Sequence, residues 1–413
     1  MKAPSPLHAF AGYGIELEYM IVDRETLSVQ PISDRLLGED GEAPRGHYAW
    51  SNEVVLHLIE LKNAAPDATL APLAAGFQAE VQAVNAALAE HNACLMPSAM
   101  HPWMNPALET RLWPHRHAEI YRTYDRIFDC RRHGWANLQS VHLNLPFADD
   151  AEFARLHAAV RLVLPILPAL AASSPFQAGL FSGLLDTRMQ NYRTHQIKVP
   201  RTIGSVIPDA TAGIADYRAN VLERMYRAIE PFDPGHVLRH EWLNARGVIP
   251  RFDRNALEIR VLDMQECPQA DLAVAAAASA AIKAMYESSA DLAMDTERLT
   301  EVFLDCIHDG EQALIDDADY LTHLGCLECR MSAADLWRFL IEAHLKDGPG
   351  YREHWQEPLS IILEQGPLAR RLLKAAGPIG GPSRLHAIYR ELCDSLERGE
   401  MFTPLSLGER GRG

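Results

Sequence analysis

Glu16 and Glu18 stand two residues apart in the run GIELEYMIV, where Ile15 and Leu17 alternate with them. Such alternation is the pattern of a β-strand, so both carboxylates project from one face. Two like charges side by side are unfavourable unless a cation or a proton offsets them. The same spacing recurs twice. His142 and Asn144 share a face in Ser140 to Leu145, and Glu258 and Arg260 share one in Ala256 to Leu262, each opposite apolar residues. Carboxylate oxygens and an imidazole are suitable ligands for Mg2+ or Mn2+. Glu53 and Glu60 add two more acids. Seven apart, they would face opposite sides of an unbroken strand, so a shared site needs a break or bulge between them.

These positions require a scaffold. Three alternating strands predict a sheet with one greasy and one polar face, the latter lining a cleft or simply meeting water. The segment 14–22 reads as the opening strand, 38–46 as a Gly- and acid-rich loop, and 53–63 as extended again. Asp67 and Thr69 lead into an Ala-rich helix over about 70–93, and a second helix is expected over 117–130. A helical stretch over 151–172 must kink or break at Pro165 and Pro168. The polar region 173–208 lacks periodicity and reads as a long functional loop. Its Arg188, Arg193, Lys198 and Arg201 are suited to neutralising phosphates or clamping a carboxylate, though a solvated loop also accumulates charge. Tyr121 and Tyr192 are expected either to pack against substrate or to be core tyrosines, and His115 and His117 to be surface or satisfied core residues. From residue 271 onward the pattern is helical. No linker separates domains, so a sheet-bearing catalytic region over 1–270 and a helical region over 271–413 are expected to form one continuous domain.

Composition narrows the classes. The 413 residues are 48% hydrophobic and carry 55 acids against 39 bases, a net charge of −16, which argues against a nucleic-acid binder. Seven cysteines without a repeating framework predict a reducing, cytoplasmic setting. Cys326 and Cys329 form a CxxC with no second pair at zinc-finger spacing. The apolar run 162–172 is too short to span a bilayer, and no membrane association is expected. No GxxxxGK[ST] loop is present, which disfavours a P-loop.

The segments GIELEYMIVD, NEVVLHLIELKNAAP, SVHLNLPF, SSPF and ALEIRVLDMQ occur in an order that resembles glutamate–cysteine ligases and related carboxylate–amine ligases, over about residues 12 to 290. The resemblance implies an α+β, glutamine-synthetase-like fold: a curved, largely antiparallel sheet forming a funnel, with helices outside. It implies that Glu16, Glu18, Glu53, Glu60, His142 and Glu258 hold Mg2+ or Mn2+ and that Arg260 lies near the transferred phosphoryl group. Asn144, Arg188, Tyr192 and Arg193 are the expected substrate- or ATP-binding residues. Family members often carry EEEF at the first motif and HVH or VHY near the His strand, where this chain has ELEY and VHLN. The implied reaction joins a carboxylate, glutamate first, to an amine through an acylphosphate formed from ATP. Its partners would be small molecules, namely ATP, an amino acid and an amine, with oligomerisation open. Two other classes remain at this stage: a metal-dependent phosphotransferase without ligation, and a non-catalytic relative that binds a metabolite or a partner protein.

Overall fold

The computed structural model describes residues 6–378 and 381–403. Its centre is one eight-stranded antiparallel sheet. The strands are β1 (Gly14–Asp23), β2 (Glu42–Arg45), β3 (Tyr48–Asn52), β4 (Leu58–Asn63), β5 (Ala93–Met96) and β6 (Ser140–Pro146). After a short separate ribbon of β7 (Phe176–Gln177) and β8 (Leu180–Phe181) come β9 (Val248–Arg251) and β10 (Ala256–Asp263). Across the sheet the order is β2-β3-β4-β1-β6-β10-β9, with β5 pairing the far half of β1 through Val22↔Cys94.

The period-2 pattern sorts the two faces. Ile15, Leu17, Tyr19, Ile59, Leu61, Val141, Leu143, Leu257 and Ile259 are essentially inaccessible to water on one face. The helix Ala71–Leu88 sets Phe77, Val81 and Val84 into the same core. Full burial of each large apolar side chain is worth about 1.5–3 kcal/mol, so this face dominates the sheet's stability. The helix Pro268–Glu287 is so rich in alanine that it packs closely on both Ala71–Leu88 and Asp150–Val163. One apolar core includes residues from Ile15 to Leu396, drawing on both the sheet and the later helices.

Several expectations needed adjustment. The expected 38–46 loop contains β2, and 53–63 is not one strand: β3 and β4 form a hairpin with Glu53 in the connection. The Ala-rich helix gives way at Leu88 to a 3-10 turn, Ala89–His91, and stops where Asn92 adopts a left-handed conformation (φ 53°). That reversal releases β5, which sequence patterning did not separate from the helix. Pro165 and Pro168 act as expected: helix Asp150–Val163 passes through a 3-10 turn, Leu164–Ile166, into Leu167–Ala171. Counted together, residues 150–171 have a mean hydropathy of 1.5 over an 18-residue window, enough by length and composition to cross a membrane. In the fold, 83% of that window is buried among protein side chains, as suits a core helix.

Candidate active site

The polar face of the sheet forms the floor of a cleft of about 630 Å³. Strand register brings its charges together. Glu16 lies opposite His142 on β6 and Lys62 on β4, while Glu18 lies opposite Glu60. Glu60 in turn faces Ser51 on β3. Because the β3–β4 connection breaks the alternation, Glu53 turns to the same side as Glu60 despite the odd spacing. Carboxylate oxygens of Glu18, Glu53 and Glu60 lie within 4.8 Å of one another, and the same holds for ligand atoms of Glu16, Glu60 and His142. Glu60 belongs to both groups. It is the hinge of the acidic cluster.

Glu16, Glu18 and Glu60 are held in place by neighbours. Glu18 Oε2 accepts hydrogen bonds from the backbone N–H and the hydroxyl of Ser140, at 2.7 and 2.8 Å. His142 Nδ1 lies 2.7 Å from Glu16 Oε2, and Ser51 donates to Glu60 Oε1 at 2.6 Å. Lys62 Nζ stands 3.3 Å from Glu60. Asn144, expected to bind substrate, does not line the cleft; its amide donates to Glu16 Oε1 at 3.2 Å and steadies that carboxylate.

The electrostatics show what the cluster lacks. Burial, together with the neighbouring charges of Glu18 and Glu60, pushes the Glu53 carboxyl well above the usual range. Burial also pushes Glu18 up, against the opposing charge of His142. Burial disfavours charge on His142, yet its hydrogen bond to Glu16 and the charge of Glu18 outweigh that and hold the imidazole above its ordinary value. Crowding thus disfavours the charged forms of Glu18 and Glu53, a penalty that a nearby cation would relieve. Hard oxygen donors plus one imidazole, crowded within 4.8 Å of one another in each group, are a donor set that fits Mg2+ or Mn2+.

The other half of the cleft is arginine-rich and paired. Glu258, expected in the metal cluster, lines the same cleft but is not in either of the close acidic groups: Arg260 Nε is 2.9 Å away and Arg251 Nη1 2.8 Å. Burial opposes ionisation of Glu258, but Arg260, His142 and Arg251 overcome it and hold its carboxyl low. The ladder between β10 and β6 shifts register between Ile259 and Leu262, so Arg260 sits at an irregularity of the strand. Arg188 is buried, ion-paired with Asp263, and donates from Nη1 to the Arg260 carbonyl at 3.3 Å. Tyr192 lines the cleft; its hydroxyl is buried near Arg260 with no aligned hydrogen bond joining them. Arg193 does not reach the cleft and hydrogen-bonds Gln190 instead.

Tyr121 also lines the cleft, accepting a hydrogen bond from Asn52 at 2.9 Å; burial and the charge of Glu53 push its phenol up to about 12. Sequence reasoning missed Ser140, Lys62 and Arg251. Ser140 and Lys62 were within reach of it, standing two residues from His142 and Glu60 on the same faces. His117, expected at the surface or in the core, lines the cleft, whereas His115 pairs with Asp34 at 3.1 Å. Cys326 is buried and Cys329 exposed, both as free thiols.

This helix-backed antiparallel sheet has a counterpart among solved structures. The crystal structure of glutamate–cysteine ligase from Francisella tularensis in complex with AMP matches it with a TM-score of 0.63, covering 94% of this chain and 88% of that one at 14% identity. This likeness defines the fold. The family follows from sequence: the model of glutamate–cysteine ligase family 2 matches residues 13–391, and the chain belongs to that family. An uncharacterized protein of Archaeoglobus fulgidus is 31% identical over 394 residues, covering 94% of this chain and 99% of that protein.

Proposed function

We propose that this chain is an ATP-dependent carboxylate–amine ligase that activates the γ-carboxylate of glutamate as an acylphosphate and joins it to an amine, cysteine or another amino compound. The observation that carries the reading is the division of one cleft into a cluster where acids outnumber cations and a paired arginine half, in a chain of this family. Nucleotide use is supported by the fold, since the Francisella ligase structure holds AMP.

Glu16, Glu18, Glu53, Glu60 and His142 would hold Mg2+ or Mn2+, which neutralises phosphate charge when bound. The substrate carboxylate oxygen attacks the γ-phosphorus and ADP leaves; the amine nitrogen then attacks the acyl carbon and phosphate leaves. Neither step needs a nucleophilic side chain. What the protein supplies is position and charge. Arg260 offers a planar fork suited to phosphoryl oxygens, with its position fixed by Glu258 and its backbone by Arg188. Arg251 keeps Glu258 ionised and the pair oriented.

The experiment is a trap. With ATP, Mg2+ and glutamate but no amine, hydroxylamine should capture the acylphosphate as glutamyl hydroxamate, with ADP formed alongside. With cysteine or another productive amine, ADP, phosphate and an amide should appear together. AMP and pyrophosphate would overturn the acylphosphate route. A stable phosphorylated product indifferent to amine would make the protein a phosphotransferase.

A further inference from the structure

Away from the cleft, two thiols meet between elements nearly the whole chain apart. Cys94 lies on β5, and Cys393 on the buried side of the helix Pro382–Arg398, beside Leu385, Tyr389 and Leu392. The helix packs directly over β5, and Cys94 is half-buried against the apolar cluster that contains Cys393. The two thiols are near enough for each to perturb the ionisation of the other. We propose that Cys94 and Cys393 form a disulfide latch that fastens the C-terminal helix to the edge of the sheet.

The other cysteines differ in setting. Burial pushes the thiols of Cys130, Cys267 and Cys306 up and hides them within the core. Cys94 is held below the ordinary thiol range by the neighbouring Cys393 thiol and, against the effect of burial, by the charges of Arg24 and Arg390. Cys94 and burial instead push the Cys393 thiol well up, so Cys94 attacks first and Cys393 resolves. Its partial exposure and greater thiolate character make it the entry point for an oxidant. The oxidant class is a low-molecular-weight disulfide. The Cys94 thiolate attacks one sulfur of that disulfide, forming a mixed disulfide and releasing one thiol. The Cys393 sulfur, giving up its proton to solvent, then attacks Cys94 Sγ and displaces the second small thiol, which takes up a proton. Two protein thiols are oxidised to one disulfide and one external disulfide is reduced to two thiols.

The bond would close a loop of about 300 residues, so it should restrict the unfolded chain strongly. The test uses the full chain equilibrated with glutathione disulfide or with dithiothreitol. Expected are the loss of two alkylatable thiols, a linked peptide pairing Cys94 with Cys393, and a melting temperature about 5 °C higher, reversed by dithiothreitol. Cys94→Ser, at the half-exposed end, and Cys393→Ala should each abolish the shift and the linked peptide. Should the buried Cys393→Ala variant fail to fold, the linked-peptide map and Cys94→Ser alone decide. A lasting glutathione adduct on Cys94 with Cys393 still free, or linkage of any other pair, would overturn the proposal. None of these readouts involves turnover, so they stand or fall apart from the ligase assignment.

Discussion

The two halves of the cleft solve the problem of buried charge in opposite ways. Around Glu258 the carboxylate is matched by Arg251 and Arg260, and Arg188 is matched by Asp263, so these side chains are stable as charged partners. Around Glu60 the acids outnumber the cations: Lys62 stands 3.3 Å away, but Glu18 and Glu53 crowd the same space. Burying acids without partners costs stability, and a fold retains such an arrangement where something else supplies the charge. The paired half is built to hold its own geometry. Under the proposed assignment, a divalent cation completes the acidic half.

The sharpest break between the halves is substitution of their central acids. Glu60→Gln removes a donor shared by both acidic groups and should lower metal-dependent ATP turnover by about a thousandfold. It also relieves repulsion, so the metal-free protein should melt no lower than the parent. Glu258→Gln should also lose activity, but for another reason and at another cost. It strands two arginine charges and should destabilise the fold by about 2–4 kcal/mol. Equal stability losses in chemical denaturation would erase the contrast.

Next in size is Arg260→Lys. The charge survives but the fork does not, so turnover should fall about a hundredfold while the fold persists. Turnover near the parent value would place Arg260 outside the reaction.

A smaller effect follows from pH. The Glu53 carboxyl lies well above its ordinary value of 4.5 in the folded chain, so the folded state holds a proton that the unfolded state has released. Its contribution is therefore fully present below about 4.5 and is lost as pH rises toward the folded value. In chelator, the melting temperature of Glu53→Gln should gain on that of the parent progressively as pH rises above about 4.5. Saturating Mg2+ should shrink the difference. A gap independent of both pH and metal would mean that Glu53 is not part of a repelling cluster. Smallest is Arg193→Ala: since Arg193 lies outside the cleft, stability should change by no more than about 0.5 kcal/mol and turnover little. A large rise in KM would place it at the substrate after all.

Much of this division was legible in the sequence. Alternation alone set Glu16, Glu18, His142, Glu258 and Arg260 on polar faces, because a two-residue period survives without knowledge of partners. Strand pairing was not legible. Arg251 reaches Glu258 only because β9 lies beside β10, and no local pattern announces that neighbour. Glu53 depended on a break in the chain that spacing could demand but not locate. Asn144 was correctly placed on a face, yet its amide turns sideways to Glu16, a choice made by cross-strand geometry. Arg193 was grouped with Arg188 because both are basic; Arg193 caps the end of the helix Thr187–Tyr192, five positions on, and faces away from the cleft at which Arg188 is buried.

The central claim is that the acidic half, and not the arginine half, takes the divalent cation. Titration with Mn2+, following the free ion by electron paramagnetic resonance, measures this without requiring any substrate. The parent chain and Glu258→Gln should bind Mn2+ with similar affinity, and Glu60→Gln should bind at least about tenfold more weakly. Undiminished binding by Glu60→Gln, or an equal loss in Glu258→Gln, would contradict the account.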